Sequence, residues 1–207
     1  MAALAAVLNK MPKLESVVSE VLRMCIASIT LRHVMEPFAL KLGDQSVLLR
    51  GKDQVILAPT LTHYDASIYP NPTVFQWDRF LMPAGNNKEQ GAREEEEDTN
   101  VSLSRAKPKP ARYKNGVKVP ASIALQPFGG GSTMCPGRHF ALAEIKAFVA
   151  LVLVKWDIDF GKEDDDNVEL AFGKKGVPKL EQARAGLGSL PPLKGDKVKC
   201  RWRPRQF

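Results

Sequence analysis

The chain is poor in cysteine, histidine and aromatic rings. Its 207 residues hold three cysteines, three histidines and 7% aromatics, and the cysteines Cys25, Cys135 and Cys200 lie far apart. Odd in number and scattered, they exclude a disulfide framework and a zinc site built from cysteines, and they fit an intracellular setting. Long uncharged apolar runs are also missing. The N-terminal Met1-Ala-Ala-Leu-Ala-Ala-Val-Leu stops after eight residues at Asn9 and Lys10, too short to cross a bilayer and without the basic start of a signal peptide. A later run from Phe140 to Trp156 carries Glu144, Lys146 and Lys155, so it reads as a core helix. The basic residues lack the aromatic interleaving of a base-stacking surface, and nucleic acid is not an expected partner.

What is present supports one substantial core. Hydrophobic residues make up 44% and charged residues 26%, a balance that excludes a disordered chain. The formal charge of +7 suits several anionic surfaces, a membrane or an acidic redox partner among them, and does not choose between them. Charge is also unevenly placed. Residues 84–112 hold an acidic run, Glu94 to Asp98, and then a basic, proline-containing piece, so they are expected to be a disordered, solvated surface insertion.

Apolar residues at Leu14, Val17, Val18, Val21 and Leu22 keep a helical period with one buried face, and Pro12 sits near the start. On that helix Glu20 and Arg23 are three apart and therefore neighbours. From Ala27 to Leu42 the period is lost, and the segment reads as extended with a bend at Pro37. Val47 to Leu57 reads as two short strands forming a hairpin around Gly51, and Leu61 to Asp65 as a short helical turn. Asn115-Gly116 marks a further turn between short strands. After Cys135 a helix is expected to bury Leu142, Ile145, Phe148, Val149 and Val152, and Lys197 to Arg203 alternates as a terminal strand.

The chemistry concentrates in Phe128-Gly-Gly-Gly-Ser-Thr-Met-Cys-Pro-Gly-Arg138. Consecutive glycines allow a sharp turn and the close approach of a flat ligand. Cys135 lies where a helix begins, and the unpaired N–H groups of a first turn favour an anionic sulfur. Arg138 adds positive charge in the same turn.

An aromatic seven residues before the cysteine, a glycine four before and another two after resemble the haem-ligand loop of the cytochrome P450 family, carried here by Phe128, Gly131, Cys135 and Gly137. The resemblance implies haem b as cofactor and Cys135 as its axial ligand, whose electron donation promotes O–O cleavage. Phe128, Gly131, Gly137 and Arg138 would line the cofactor, and Arg32, on the strand after the Glu-x-x-Arg helix, would reach a haem propionate. It also makes Glu20 and Arg23 part of a buried structural network completed by Arg79, which follows Phe75 at the family's spacing. Ser28, Ile29 and Thr30, and Ala185, Gly186, Leu187 and Gly188 in the Arg-Ala-Gly-Leu-Gly turn, become substrate-side candidates.

One departure narrows the branch. Thr133 stands where most of the family has a propionate-binding arginine, as in the sterol- and bile-acid-hydroxylating branch, with its 7-alpha- and 12-alpha-hydroxylases and prostacyclin synthase. The implied architecture is mainly α with small β sheets, an α+β class, with all 207 residues forming one partial domain: the C-terminal, haem-proximal part of the family fold. With Glu20 so near the start, an N-terminal anchor, a pocket roof and the distal helix with its acid–alcohol pair find no counterpart, so no catalytic residue is assigned. A truncated or shortened monooxygenase of a hydrophobic, sterol- or terpenoid-like substrate is expected, weak or inactive alone. In the parent family NADPH-cytochrome P450 reductase supplies electrons at the endoplasmic reticulum membrane. The alternatives are an isomerase of the prostacyclin-synthase type and a non-catalytic binding fragment.

Overall fold

A computed structural model describes residues 7–8, 10–81, 110–159 and 200–206. The expected insertion at 84–112 lies almost wholly outside the described residues, as do Ala185, Gly186, Leu187 and Gly188. The elements run α1 (Pro12–Cys25), β1 (Thr30–His33), β2 (Phe38–Leu42), β3 (Gln45–Leu49), β4 (Gln54–Leu57), α2 (Pro59–His63), β5 (Arg112–Lys114), β6 (Val117–Val119), α3 (Ala121–Ala124), α4 (Arg138–Lys155), β7 (Trp156–Asp159) and β8 (Arg201–Pro204). Helices are thus joined by small two-stranded antiparallel sheets, the expected class.

Helix α1 begins with Pro12 in its first turn, where a missing N–H costs nothing. It buries more than its apolar stripe. Leu14 and Val18 are buried, but so are Ser16, Ser19, Glu20 and Arg23, while Val21 is 43% exposed. The polar residues are covered because chain that follows much later wraps them: Ser16 Oγ accepts the backbone N–H of Phe80 at 3.1 Å.

The hairpin expected around Gly51 is replaced by a nested pair. Strand β2 pairs with β3 through Leu42↔Gln45, and β1 pairs with β4 outside it through Thr30↔Leu57 and His33↔Gln54. The reason lies in the two-residue link Gly43-Asp44, where Gly43 adopts φ +62°, a conformation that closes a tight hairpin. Gly51-Lys52 instead turns the chain back to β1, with Val34 and Asp53 sharing a backbone bond of 2.9 Å. The Asn115-Gly116 turn is present as expected, both residues at positive φ.

Two small cores follow. Ile68, Tyr69, Phe80 and Ala124 form one, with Val119 and Leu125 against it. Leu8, Leu14 and Val18 form the other, where α1 meets Leu142, Ala147, Val149 and Ala150 of α4. This corrects the expected stripe on α4, since Ile145 is 37% and Phe148 68% exposed. The helix is apolar on every side, so periodicity could not say which side meets α1. Its buried polar member, Lys146, settles the orientation by pairing with Glu15 of α1.

Candidate functional site

Glu20 is the hub of a buried ionic network. Its Oε2 accepts Arg23 Nε at 2.8 Å, and its Oε1 accepts Arg23 Nη2 at 2.9 Å, Arg79 Nε at 2.9 Å and the Gln76 N–H at 3.1 Å. Two guanidinium groups on one carboxylate leave donors over, and backbone carbonyls take them. Arg79 bonds Pro70 O at 2.7 Å and Val74 O at 2.9 Å, and Arg23 bonds His63 O at 2.7 Å. Burial alone would raise the Glu20 carboxyl, but the donated bonds and charge of Arg23, then those of Arg79, hold it below its ordinary value. The three residues singled out in sequence are therefore together and enclosed.

The cysteine loop leaves this network through Gln126. Gly129 and Gly131 sit at φ +79° and +64°, so the backbone folds back on itself and the Cys135 N–H reaches Phe128 O at 3.0 Å. A short 3-10 turn, Gly131–Thr133, carries the chain to Met134. The carbonyl of Cys135 accepts the Arg138 N–H at 3.4 Å and Arg138 Nη1 at 3.3 Å. Helix α4 thus starts three residues beyond an exposed, free thiol. A Cβ on Gly137 would stand 3.9 Å from that sulfur. Phe128 is half-buried at the other end of the loop.

Strand β1 delivers Arg32 to the same loop. Its Nη2 donates to Thr133 Oγ1 at 2.6 Å and to Gly130 O at 3.5 Å, and Nη1 donates to Leu31 O at 3.0 Å. All three acceptors are neutral, so among the described residues nothing cancels the guanidinium charge that they hold in place. Thr30 lies at the loop as well, its Oγ1 3.8 Å from where a Cβ on Gly129 would be. Of the other substrate-side candidates, Ile29 is 39% exposed and Ser28 Oγ is enclosed with no hydrogen-bond partner among the described residues.

Two residues that sequence reasoning did not select join the network to the loop. His63 is fully buried at the end of α2, and its Nε2 accepts the Gln126 N–H at 3.0 Å. Burial and the adjacent Arg23 charge push it down to about 4, so it is neutral with its proton on Nδ1. Tyr69, also fully buried, donates its hydroxyl to Ala124 O at 2.8 Å while the Arg23 and Arg112 guanidinium groups lie over its ring at 5.2 and 4.8 Å. Neither carries a spacing signal. Only their place between a Pro-led helical turn and a Pro-rich loop could have marked them as buried.

The sequence model of the family described as Cytochrome P450 matches residues 5–180. The chain is 38% identical over 186 residues to cholesterol 7-alpha-monooxygenase of Cricetulus griseus, covering 90% of this chain and 30% of that protein. It is 32% identical to 7-alpha-hydroxycholest-4-en-3-one 12-alpha-hydroxylase of Homo sapiens (96% and 34% covered) and 31% identical to prostacyclin synthase of Rattus norvegicus (96% and 33%). Among solved structures, the retinoic acid-bound cyanobacterial CYP120A1 aligns with a TM-score of 0.57 at 22% identity, covering 96% of this chain and 34% of that one. The chain spans about a third of the length of the relatives it matches.

Proposed function

The chain belongs to the cytochrome P450 family, whose cofactor is haem b, and from that membership we propose that it forms the thiolate side of a haem site in a monooxygenase of a hydrophobic, sterol-like substrate. The observation that carries the reading is the exposed Cys135 thiol on a loop folded by Gly129 and Gly131, with the uncancelled Arg32 guanidinium bonded to the same loop.

The residues present fit a flat, dianionic macrocycle. Cys135 would hold the haem iron through its sulfur. Arg32 would bond a propionate, with Thr133 holding the guanidinium on the loop. Phe128, Gly131 and Gly137 would line the face beside the sulfur, and Arg138 would hold the loop's far end to α4 through the Cys135 carbonyl. Ser28, Ile29 and Thr30 would face the substrate. Haem bound through a thiolate supplies oxygen activation, the thiolate favouring O–O cleavage. The protein's share is to present the sulfur without competing partners, to fix a carboxylate and to keep the loop rigid through the Glu20, Arg23 and Arg79 network.

The substrate class follows from the sterol-hydroxylating relatives, and the electrons would come from NADPH-cytochrome P450 reductase at the endoplasmic reticulum membrane. Among the described residues no helix is long and apolar enough to cross a membrane. The deciding experiment is the absorption spectrum of the haem-reconstituted chain, ferrous and carbon-monoxide-bound, beside Cys135→Ser. A thiolate-type Soret band in the wild type that the variant lacks is the expected result. Identical spectra for the two proteins would overturn the assignment. The likeness to prostacyclin synthase favours a second reading, an isomerase on the same cysteine, which would turn over an endoperoxide without NADPH.

A further inference from the structure

His63 touches both halves of the candidate site. Its backbone carbonyl accepts Arg23 Nη1 at 2.7 Å, and its ring Nε2 accepts the Gln126 N–H at 3.0 Å. Gln126 is where the cysteine loop is rooted: its carbonyl accepts the Gly129 N–H at 3.4 Å, and its side-chain nitrogen is 3.1 Å from where a Cβ on Gly130 would stand. Two residues on, Phe128 O accepts the Cys135 N–H. A continuous set of contacts therefore runs from Glu20 through Arg23, His63, Gln126 and Phe128 to Cys135.

We propose that His63 is a positioning residue for the Cys135 loop, holding the Gln126 N–H so that the loop departs from the Glu20–Arg23 network at one fixed place. The proposal rests on the haem-thiolate reading for its consequence at the sulfur, but its geometry belongs to the protein alone. Few side chains meet the demands of the position. The group must be an acceptor at imidazole reach, must fill a fully enclosed space and must stay uncharged beside Arg23. A neutral imidazole does all three, with Nδ1 left enclosed and without a partner among the described residues as the cost of presenting Nε2. Without the acceptor, the Gln126 N–H would be left unpaired at the loop's root.

The test compares wild type, His63→Phe and His63→Gln in the full chain. Phenylalanine keeps the shape and removes the acceptor, whereas glutamine returns an acceptor oxygen near the place of Nε2. Amide hydrogen exchange on the haem-free chain is read over 126–135 and, separately, over α4 and the β2–β3 hairpin. The expected result is about tenfold faster exchange over 126–135 in the phenylalanine variant, with α4 and the hairpin unchanged and glutamine restoring most of the protection. After haem addition, the phenylalanine variant should also show a smaller thiolate-type share of the ferrous carbon-monoxide spectrum. Unchanged exchange over 126–135, an equal rise in every segment, or no rescue by glutamine would each overturn the proposal. Failure of the wild type to take up haem would count against the haem-thiolate reading, and the exchange data would still decide the role of His63.

Discussion

Arg79 donates its Nε to Glu20 Oε1 at 2.9 Å, a bond between residues 59 apart in the chain. The Glu20 side chain is completely enclosed and that of Arg79 is 3% exposed, so neither has water to fall back on. Arg79→Ala should therefore destabilise the chain by about 3 to 5 kcal/mol, because Glu20 loses a donor and the Pro70, Asn71 and Val74 carbonyls lose theirs. Arg79→Lys keeps the charge but cannot span four acceptors, and should recover less than half of the loss. Urea denaturation followed by circular dichroism measures both. A midpoint for Arg79→Ala equal to the wild type would show that the network contributes nothing net.

Arg32 presents the opposite case. Half-buried, with neutral acceptors at Thr133, Gly130 and Leu31, it is expected to contribute little to folding and, under the proposed haem site, to serve anion binding instead. Arg32→Gln should leave the urea midpoint nearly unchanged while haem transfer to a competing apoprotein becomes about tenfold faster, the loss of one charge-assisted bond. Thr133→Val, which removes the shortest of the guanidinium's three bonds and leaves those to Gly130 O and Leu31 O, should fall between the two. Equal transfer rates for all three proteins would place the propionate elsewhere.

The parts of the fold and site that sequence made legible are those in which residue type and spacing are themselves the constraint. Glu20 and Arg23 are one helical turn apart, Asn115-Gly116 needs positive φ, and so do Gly129 and Gly131 in the turn ahead of Cys135. Pairings decided at a distance were not legible. Nothing local tells β3 to choose β2 over β4; the choice falls to the two-residue link at Gly43. Nor does α4 announce its packed side, since it is apolar all round and is oriented by the Lys146–Glu15 pair. His63 and Tyr69 were missed for the same reason, because their partners Gln126 and Ala124 lie 63 and 55 residues away.

Two of the loop glycines, Gly131 and Gly137, should differ in their tolerance of a side chain. Gly131 sits at φ +64°, where an L residue pays a backbone penalty, so Gly131→Ala should cost about 1 kcal/mol and loosen the turn ahead of Cys135. Gly137 has φ −79°, and its added Cβ would meet the Cys135 sulfur at an ordinary contact distance of 3.9 Å. Gly137→Ala should therefore fold as well as the wild type. Alkylation of the exposed Cys135 thiol gives a second readout, expected to quicken for Gly131→Ala and to slow slightly for Gly137→Ala. Equal stability losses in the two variants would show that backbone conformation is not what selects glycine at position 131.

Acid should weaken the fold through His63 before most carboxylates respond. An unfolded chain protonates this imidazole near 6.5, whereas in the fold burial and Arg23 push it down to about 4. Between those values the unfolded state binds a proton that the folded state refuses, so stability falls as pH drops, by up to about 3 kcal/mol, and the loss levels off below pH 4. Glu20 acts in the same direction at lower pH. Its folded value lies below the ordinary carboxylate range, so its contribution is present above that range and is lost as pH falls through the folded value. The two can be separated with His63→Gln, which cannot titrate. Urea midpoints measured at intervals from neutral pH down to about pH 4 should fall more steeply for the wild type than for the glutamine variant. Parallel curves would mean that His63 takes up its proton at the same pH in the folded and unfolded chain, and the imidazole would then have to be solvated in the fold, its bond to Gln126 given up.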